Sequence, residues 1–115
     1  MEKLVSGIGG IFFRSKDHKG LAQWYEKHFG IPMAWEQEKG TTAFSPFKAD
    51  TNYFGSMEQQ FMINFRVTDI EKLLSQLKDA GVKIDEQRMN ESYGKFAWVY
   101  DPEGNKIELW EPVED

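Results

Sequence analysis

Apolar positions along this chain follow two rhythms, a strand-like alternation and then a helical spacing, and the pair is written twice. Ile11-Phe12-Phe13-Arg14-Ser15-Lys16-Asp17 and Ile63-Asn64-Phe65-Arg66-Val67-Thr68-Asp69 share the pattern Ile-x-Phe-Arg-x-x-Asp, 52 residues apart. After Asp17, Leu21, Trp24, Tyr25 and His28 fall at helical spacing before Gly30; after Asp69, Ile70, Leu73, Leu74 and Leu77 do so before Gly81. Each Asp suits an N-cap, its carboxylate accepting from free N–H groups of the first turn, and each Gly suits the left-handed position past a helix end. Both halves therefore predict a strand followed by a helix.

Short extended runs come next. Residues 31–37 and 41–47 flank Glu38-Lys39-Gly40, and residues 82–89 and 93–100 flank Asn90-Glu91-Ser92. Asp101-Pro102-Glu103-Gly104 carries Pro and Gly at the second and fourth positions of a type I turn, leading into a strand over 106–110. The second half reads βαβββ. In the first half, residues 48–55 are irregular, with Asn52-Tyr53-Phe54 expected to supply the last strand. The chain is expected to be a single domain over 1–115, with module one at about 6–58 and module two at about 59–112.

Strand parity separates two faces. Ile11, Phe13, Ile63, Phe65 and Val67 form an odd apolar set expected to pack beneath the helices, joined in the last hairpin by Ala97, Val99, Ile107 and Leu109. The even set carries Gly10, Phe12, Arg14, Met62, Asn64, Arg66, Phe96, Trp98, Tyr100, Glu108 and Trp110. Two arginines, an asparagine and a glutamate among large rings suit the lining of a cavity better than a core.

Composition narrows the chemistry. The 115 residues include no cysteine, which removes disulfides, thiolate metal sites and cysteine nucleophiles. A formal charge of −5 and the lack of a basic cluster disfavour nucleic acid as a partner. Apolar runs such as Phe61-Met62-Ile63 are too short to span a bilayer, and the N-terminal residues do not read as a signal peptide, so no membrane partner and a cytoplasmic location are expected. Gly7-Ile8-Gly9-Gly10 precedes a strand, not a helix, and lacks the geometry of a phosphate loop. Aromatic residues make up 15% of the chain, enough for some to line a cavity.

The doubled pattern, the segment Trp24-Tyr25-Glu26-Lys27-His28-Phe29-Gly30 and the ending Asp101-Pro102-Glu103-Gly104-Asn105-Lys106-Ile107-Glu108-Leu109 resemble the vicinal oxygen chelate superfamily, which includes glyoxalase I, fosfomycin-resistance transferases, extradiol dioxygenases and bleomycin-resistance proteins. The resemblance implies an α+β, glyoxalase-like fold: two βαβββ modules whose curled mixed sheets surround a cavity, frequently in a dimer. It also implies a divalent ion held by His or Glu on four strands. At the matching positions stand Gly10, Met62 and Glu108, with the remaining position near residues 55–57 and Glu58 still open. One certain carboxylate is too few for a transition metal, so neither a metal nor another cofactor is expected. His18, in a first helical turn, and His28, near a helix C-terminus, suit structural or solvated roles.

Glu108 has two readings: a ligand anchor or general base, or one half of an ion pair with Arg14 or Arg66. The arginines are anion hooks or strand-end residues reaching water. Phe12, Phe96, Trp98, Tyr100 and Trp110 stack on a ligand, or fill the space a metal site would occupy, or meet a second subunit. The expected protein is a metal-independent binder of a hydrophobic or aromatic small molecule, either cationic or neutral, acting as a homodimer, with Phe12, Arg14, Asn64, Arg66, Phe96, Trp98, Tyr100, Glu108 and Trp110 as ligand-binding residues. The alternatives are a lyase, isomerase or dioxygenase relative using Glu108 as base or metal ligand, and a structural or regulatory dimer with a filled cavity.

Overall fold

The computed structural model describes residues 2–29, 31–36 and 41–113, with residues 24, 25, 28 and 29 described by backbone alone. The proposed helix-ending Gly30, the linker Glu38-Lys39-Gly40 and the His28 side chain lie outside the described residues. In chain order the elements are β1 (Val5–Ser15), α1 (His18–Phe29), β2 (Ala34–Glu36), β3 (Thr41–Lys48), β4 (Phe61–Val67), α2 (Ile70–Asp79), β5 (Lys83–Glu91), β6 (Gly94–Tyr100) and β7 (Lys106–Pro112).

Both aspartates act at helix starts. The Gly20 N–H donates to Asp17 Oδ1 at 3.0 Å and the Lys72 N–H to Asp69 Oδ1 at 3.1 Å. Gly81 follows α2 with φ of 81°, a conformation that an added Cβ disfavours. The Ile70 N–H donates to the Glu111 carboxylate at 2.8 Å, which ties the start of α2 to β7.

The strands form one mixed sheet of order β2-β3-β1-β4-β7-β6-β5. β1 and β4 pair antiparallel at its centre and join the two halves of the chain. Each has a parallel neighbour on its outer side, β3 beside β1 and β7 beside β4. The outermost strands are β2 and β5, so the sheet is curled and open, not a closed barrel.

Alternation gives the sheet two different faces. On one, α2 covers Val67, Ala97, Val99 and Leu109 with Ile70, Leu73 and Leu74. On the other, Phe12, Met62, Phe96 and Trp98 pack with Phe54. Burying a side chain of this size is worth about 1.5–3 kcal/mol, so both clusters hold the sheet.

Two expectations need correction. Ile11 and Ile63, assigned to a covered face, are each 48% exposed. The helices lie to either side of them, α1 against β3 with a smaller contact on β1, and α2 against β5, β6 and β7, leaving Ile11 and Ile63 on an uncovered seam where β1 meets β4. Residues 52–54, assigned to the last strand of module one, form no strand, and Tyr53 and Phe54 lie in a turn. The backbone between β3 and β4 bonds to itself instead, Thr51 N–H to the Lys48 carbonyl, Gly55 N–H to Asn52, and Gln59 N–H to Ser56. β3 takes the place beside β1 that β7 takes beside β4.

Candidate functional site

Strand register assembles the site. Gly10 on β1 lies opposite Asn64 on β4, Asn64 beside Glu108 on β7, and Glu108 opposite Trp98 on β6. This row of even positions crosses the sheet, so the side chains flanking Glu108 are decided by pairing alone. Asn64 Nδ2 donates to Glu108 Oε1 at 2.6 Å, and Trp98 Nε1 donates to Glu108 Oε2 at 3.0 Å.

A third donor comes from the connection between β3 and β4. The Tyr53 hydroxyl donates to Glu108 Oε2, and the Tyr53 ring meets the Trp98 ring edge-on at 5.8 Å and 88°. Phe54 is fully buried, its ring 5.2 Å from that of Phe47. The Lys106 ammonium donates to the Tyr53 carbonyl at 2.9 Å. Residues 49–60 thus fold over the aromatic face and fill the recess above Glu108.

Glu108 is only 2% exposed. Burial pushes its carboxyl above the ordinary carboxylate range, against the opposing pull of the Tyr53, Asn64 and Trp98 donors and the Lys106 charge. Burial and the facing carboxylate push the Tyr53 phenol upward, so that it stays an O–H donor. All three groups bonded to Glu108 are neutral, and its charge has no ion pair among the described residues.

Arg14 holds the overlying segment. Its Nε donates to the Gln59 carbonyl at 3.0 Å, Nη1 to Thr51 at 2.8 Å and Ala49 at 3.1 Å, and Nη2 to Ser56 at 3.0 Å. Its guanidinium also lies 5.0 Å from the Phe54 ring centre. A planar fork with five N–H donors is the one side chain that can satisfy four carbonyls of a coiled connection together. Gln59 adds a two-way link to β7, donating to the Lys106 carbonyl at 3.0 Å and accepting from the Lys106 N–H at 2.9 Å.

The expected site residues therefore fall into separate groups. Phe12, Asn64, Phe96, Trp98, Glu108 and Trp110 share the aromatic face. Trp110 stacks on Phe96 at 6.1 Å and 4°, and its Nε1 donates to the Tyr93 carbonyl at 3.0 Å, beside the β5–β6 turn. Arg14 is a clamp on residues 49–60, and Arg66 donates to the Thr41 carbonyl of β3. Tyr100 turns to the sheet edge, its hydroxyl donating to Asp85 at 2.7 Å, which pushes the phenol up to about 12.

The residues at the positions implied for a metal do not fit a divalent cation. Gly10 has no side chain, Met62 is a buried thioether, and Trp98 and Asn64 aim N–H groups at the carboxylate oxygens. The remaining amide oxygen, Asn64 Oδ1, is buried without a hydrogen-bond partner and packed against Gly9. Among the described residues, no three of His, Cys, Asp and Glu gather as a cation site. No helix among them is long and apolar enough to cross a membrane.

Sequence reasoning missed Gly9, Tyr53, Phe54, Gln59 and Lys106. The only signal for Tyr53 and Phe54 was an aromatic pair inside an otherwise polar, irregular stretch. For Gly9 it was a glycine run at a strand entrance, which sits where β1 and β4 shift register between Ile8 and Gly10.

A curled α+β sheet with paired strand–helix units and one buried carboxylate defines the class. The chain belongs to the Glyoxalase/Bleomycin resistance protein/Dioxygenase superfamily, whose family model matches residues 7–109. Its fold is similar to methylmalonyl-CoA epimerase from Mycobacterium tuberculosis, at 16% identity and a TM-score of 0.75, covering 99% of this chain and 93% of that one. A variant of the Streptomyces coelicolor methylmalonyl-CoA epimerase, in complex with 2-nitronate-propionyl-CoA, gives 14% identity and a TM-score of 0.71, covering 96% and 99%. In sequence, the chain is 23% identical over 114 residues to the uncharacterized protein YraH of Bacillus subtilis (strain 168), spanning 82% of this chain and 89% of that one.

Proposed function

We propose that this protein is a metal-independent small-molecule binder of the glyoxalase and bleomycin-resistance type, holding a hydrophobic or aromatic ligand against Glu108. One observation carries the reading: a carboxylate only 2% exposed lies on the sheet face that carries Phe12, Phe96 and Trp98, with only neutral donors on its oxygens. A buried carboxylate whose oxygens bond no cation directly, Lys106 acting on it only from beyond the Tyr53 and Trp98 rings, favours a cationic group, and the rings supply dispersion and cation–π attraction. The net charge of −5 adds a long-range pull on a cation, screened over roughly 8 Å at physiological salt.

The test is a tryptophan-fluorescence titration with benzylammonium and its neutral counterpart benzyl alcohol, since Trp98 bonds directly to Glu108. The cation is expected to bind more tightly, and Glu108→Gln is expected to remove that preference. Equal affinities in the original chain and the variant would take Glu108 out of the site.

The raised Glu108 pKa favours a second reading, in which a desolvated carboxylate works as a general base in a lyase, isomerase or dioxygenase relative. Two structural relatives are methylmalonyl-CoA epimerases. Deuterium wash-in from D2O at the α carbon of methylmalonyl-CoA, with and without an added divalent cation, separates this reading from simple binding.

The proposal includes a homodimer. Val5, Ile8, Ile11, Phe61 and Ile63 are each between 45% and 63% exposed and line the uncovered seam between β1 and β4. A contiguous apolar strip of this kind suits a self-complementary interface. Sedimentation is expected to show a dimer that Ile63→Lys converts to monomer; a monomer at high concentration removes this part of the proposal.

A further inference from the structure

We infer that Tyr53, seated by the connection over 49–60, is a built-in occupant of the Glu108 site, and that the ligand it stands in for is a small hydroxyaryl compound that enters by displacing it. The inference rests on the binding function proposed above and names the chemistry of the ligand.

The Tyr53 side chain makes the contacts that a bound phenol makes. Its hydroxyl donates to a carboxylate oxygen, its ring stands edge-on to Trp98, and a second ring, Phe47, lies 5.3 Å away. The recess has already selected an O–H donor on a six-membered ring, from a residue that belongs to no strand or helix.

Residues 49–60 are attached in a manner that differs from the sheet. Four of their carbonyls are held by one side chain, Arg14, and a fifth by Lys106. Their own turns are local, spanning four residues each. No ladder of backbone bonds to a neighbouring strand has to break for Tyr53 to swing away, whereas moving Asn64 or Trp98 would disrupt β4 or β6. Of the three donors on Glu108, Tyr53 is therefore the one a ligand can replace. On its departure Glu108 Oε2 keeps Trp98 Nε1 and faces a space the size of the phenol that left. A molecule without a donor would leave that oxygen undersatisfied, which is why a hydroxyaryl compound is favoured over a plain arene.

The probe is 4-methylphenol, the tyrosine side chain as a free molecule, with toluene as the donor-free control. Binding is followed by Trp fluorescence, and amide hydrogen exchange reports on residues 49–60. Tyr53→Ala is expected to bind 4-methylphenol at least tenfold more tightly than the original chain, and to prefer it over toluene by at least tenfold. If the alanine variant does not fold, Tyr53→Phe, which removes only the competing hydroxyl, is expected to bind 4-methylphenol several-fold more tightly. In the original chain, saturating 4-methylphenol is expected to raise exchange across residues 49–60 and leave β4 and β7 protected.

Equal affinities for the original chain and the folded variants overturn the inference, as does binding with unchanged exchange over residues 49–60. The two levels fail differently. Benzylammonium binding at Glu108 without any gain in the Tyr53 variants leaves the binding function standing and removes the occupant. Tight binding of 4-methylphenol to Tyr53→Ala, with no ligand taken by the original chain, removes both, because a ligand that enters by displacing Tyr53 must bind the chain that carries it.

Discussion

Arg14→Met isolates the contribution of one side chain to the covering of the site. The substitution keeps an unbranched apolar stem and deletes the four N–H donations to the carbonyls of Ala49, Thr51, Ser56 and Gln59. The bonds to Thr51 and Gln59 are partly buried and those to Ala49 and Ser56 are exposed. A partly buried bond from a charged donor is worth about 1.5 kcal/mol and an exposed one a few tenths, since water replaces it. With the loss of the cation over Phe54, at about 0.5 kcal/mol, the total is roughly 4 kcal/mol before non-additivity and about 3 after it. At ~2.1 cal/mol/K of unfolding entropy per residue, a chain of 115 residues loses about 4 °C of Tm per kcal/mol. The expected drop is thus roughly 12 °C by circular dichroism, with faster amide exchange over residues 49–60. Arg14→Lys, which keeps the charge but not the fork, is expected to fall between the two. A shift under about 4 °C, with exchange over residues 49–60 unchanged, would show that the connection is held by its aromatic contacts and not by the guanidinium.

Three further outcomes are accessible by similar means. Because burial raises the Glu108 carboxyl, the folded chain retains a proton there that the unfolded chain has already released; stability from this residue therefore falls as pH rises from the ordinary glutamate pKa through the raised one. Urea titrations from pH 4 to 8 are expected to show a shallower fall for Glu108→Gln than for the original chain, and parallel curves would refute the buried state of the group. Gly9→Ala puts a methyl into Asn64 Oδ1 and close to the Arg66 backbone nitrogen, at 3.1 Å; a loss of about 2–3 kcal/mol in denaturant is expected, and a neutral result would show that Asn64 can leave Glu108 freely. Phe54→Ala empties a fully buried site and is expected to cost about 3–5 kcal/mol. A loss below about 1 kcal/mol would mean that the segment over the recess collapses into the space.

Local sequence was sufficient for those elements whose determinants are themselves local. The two Asp caps, the Gly81 ending and the alternation that splits Leu109 from Glu108 depend on neighbours a few residues away, and each is legible in the letters. The repeat likewise led to the family that the match over residues 7–109 establishes. The surroundings of Glu108 divide along the same line. Asn64 and Trp98 were placed on its face by parity, whereas the bond each makes to it depends on the register of β4, β7 and β6.

Tertiary structure alone decided the rest. Residues 52–54 carry the composition of a strand, but four of the carbonyls around them find a partner in a guanidinium from β1, some 35 to 45 residues earlier in the chain. Periodicity measures how a side chain relates to its own backbone, and it contains no information about a donor arriving from a distant strand. The exposed seam between β1 and β4 follows from where two helices happen to lie on a curled sheet, which no single strand's pattern encodes. A linear chain writes down which groups are available; which of them saturate one another is a property of three-dimensional packing, where each donor and acceptor can be used only once.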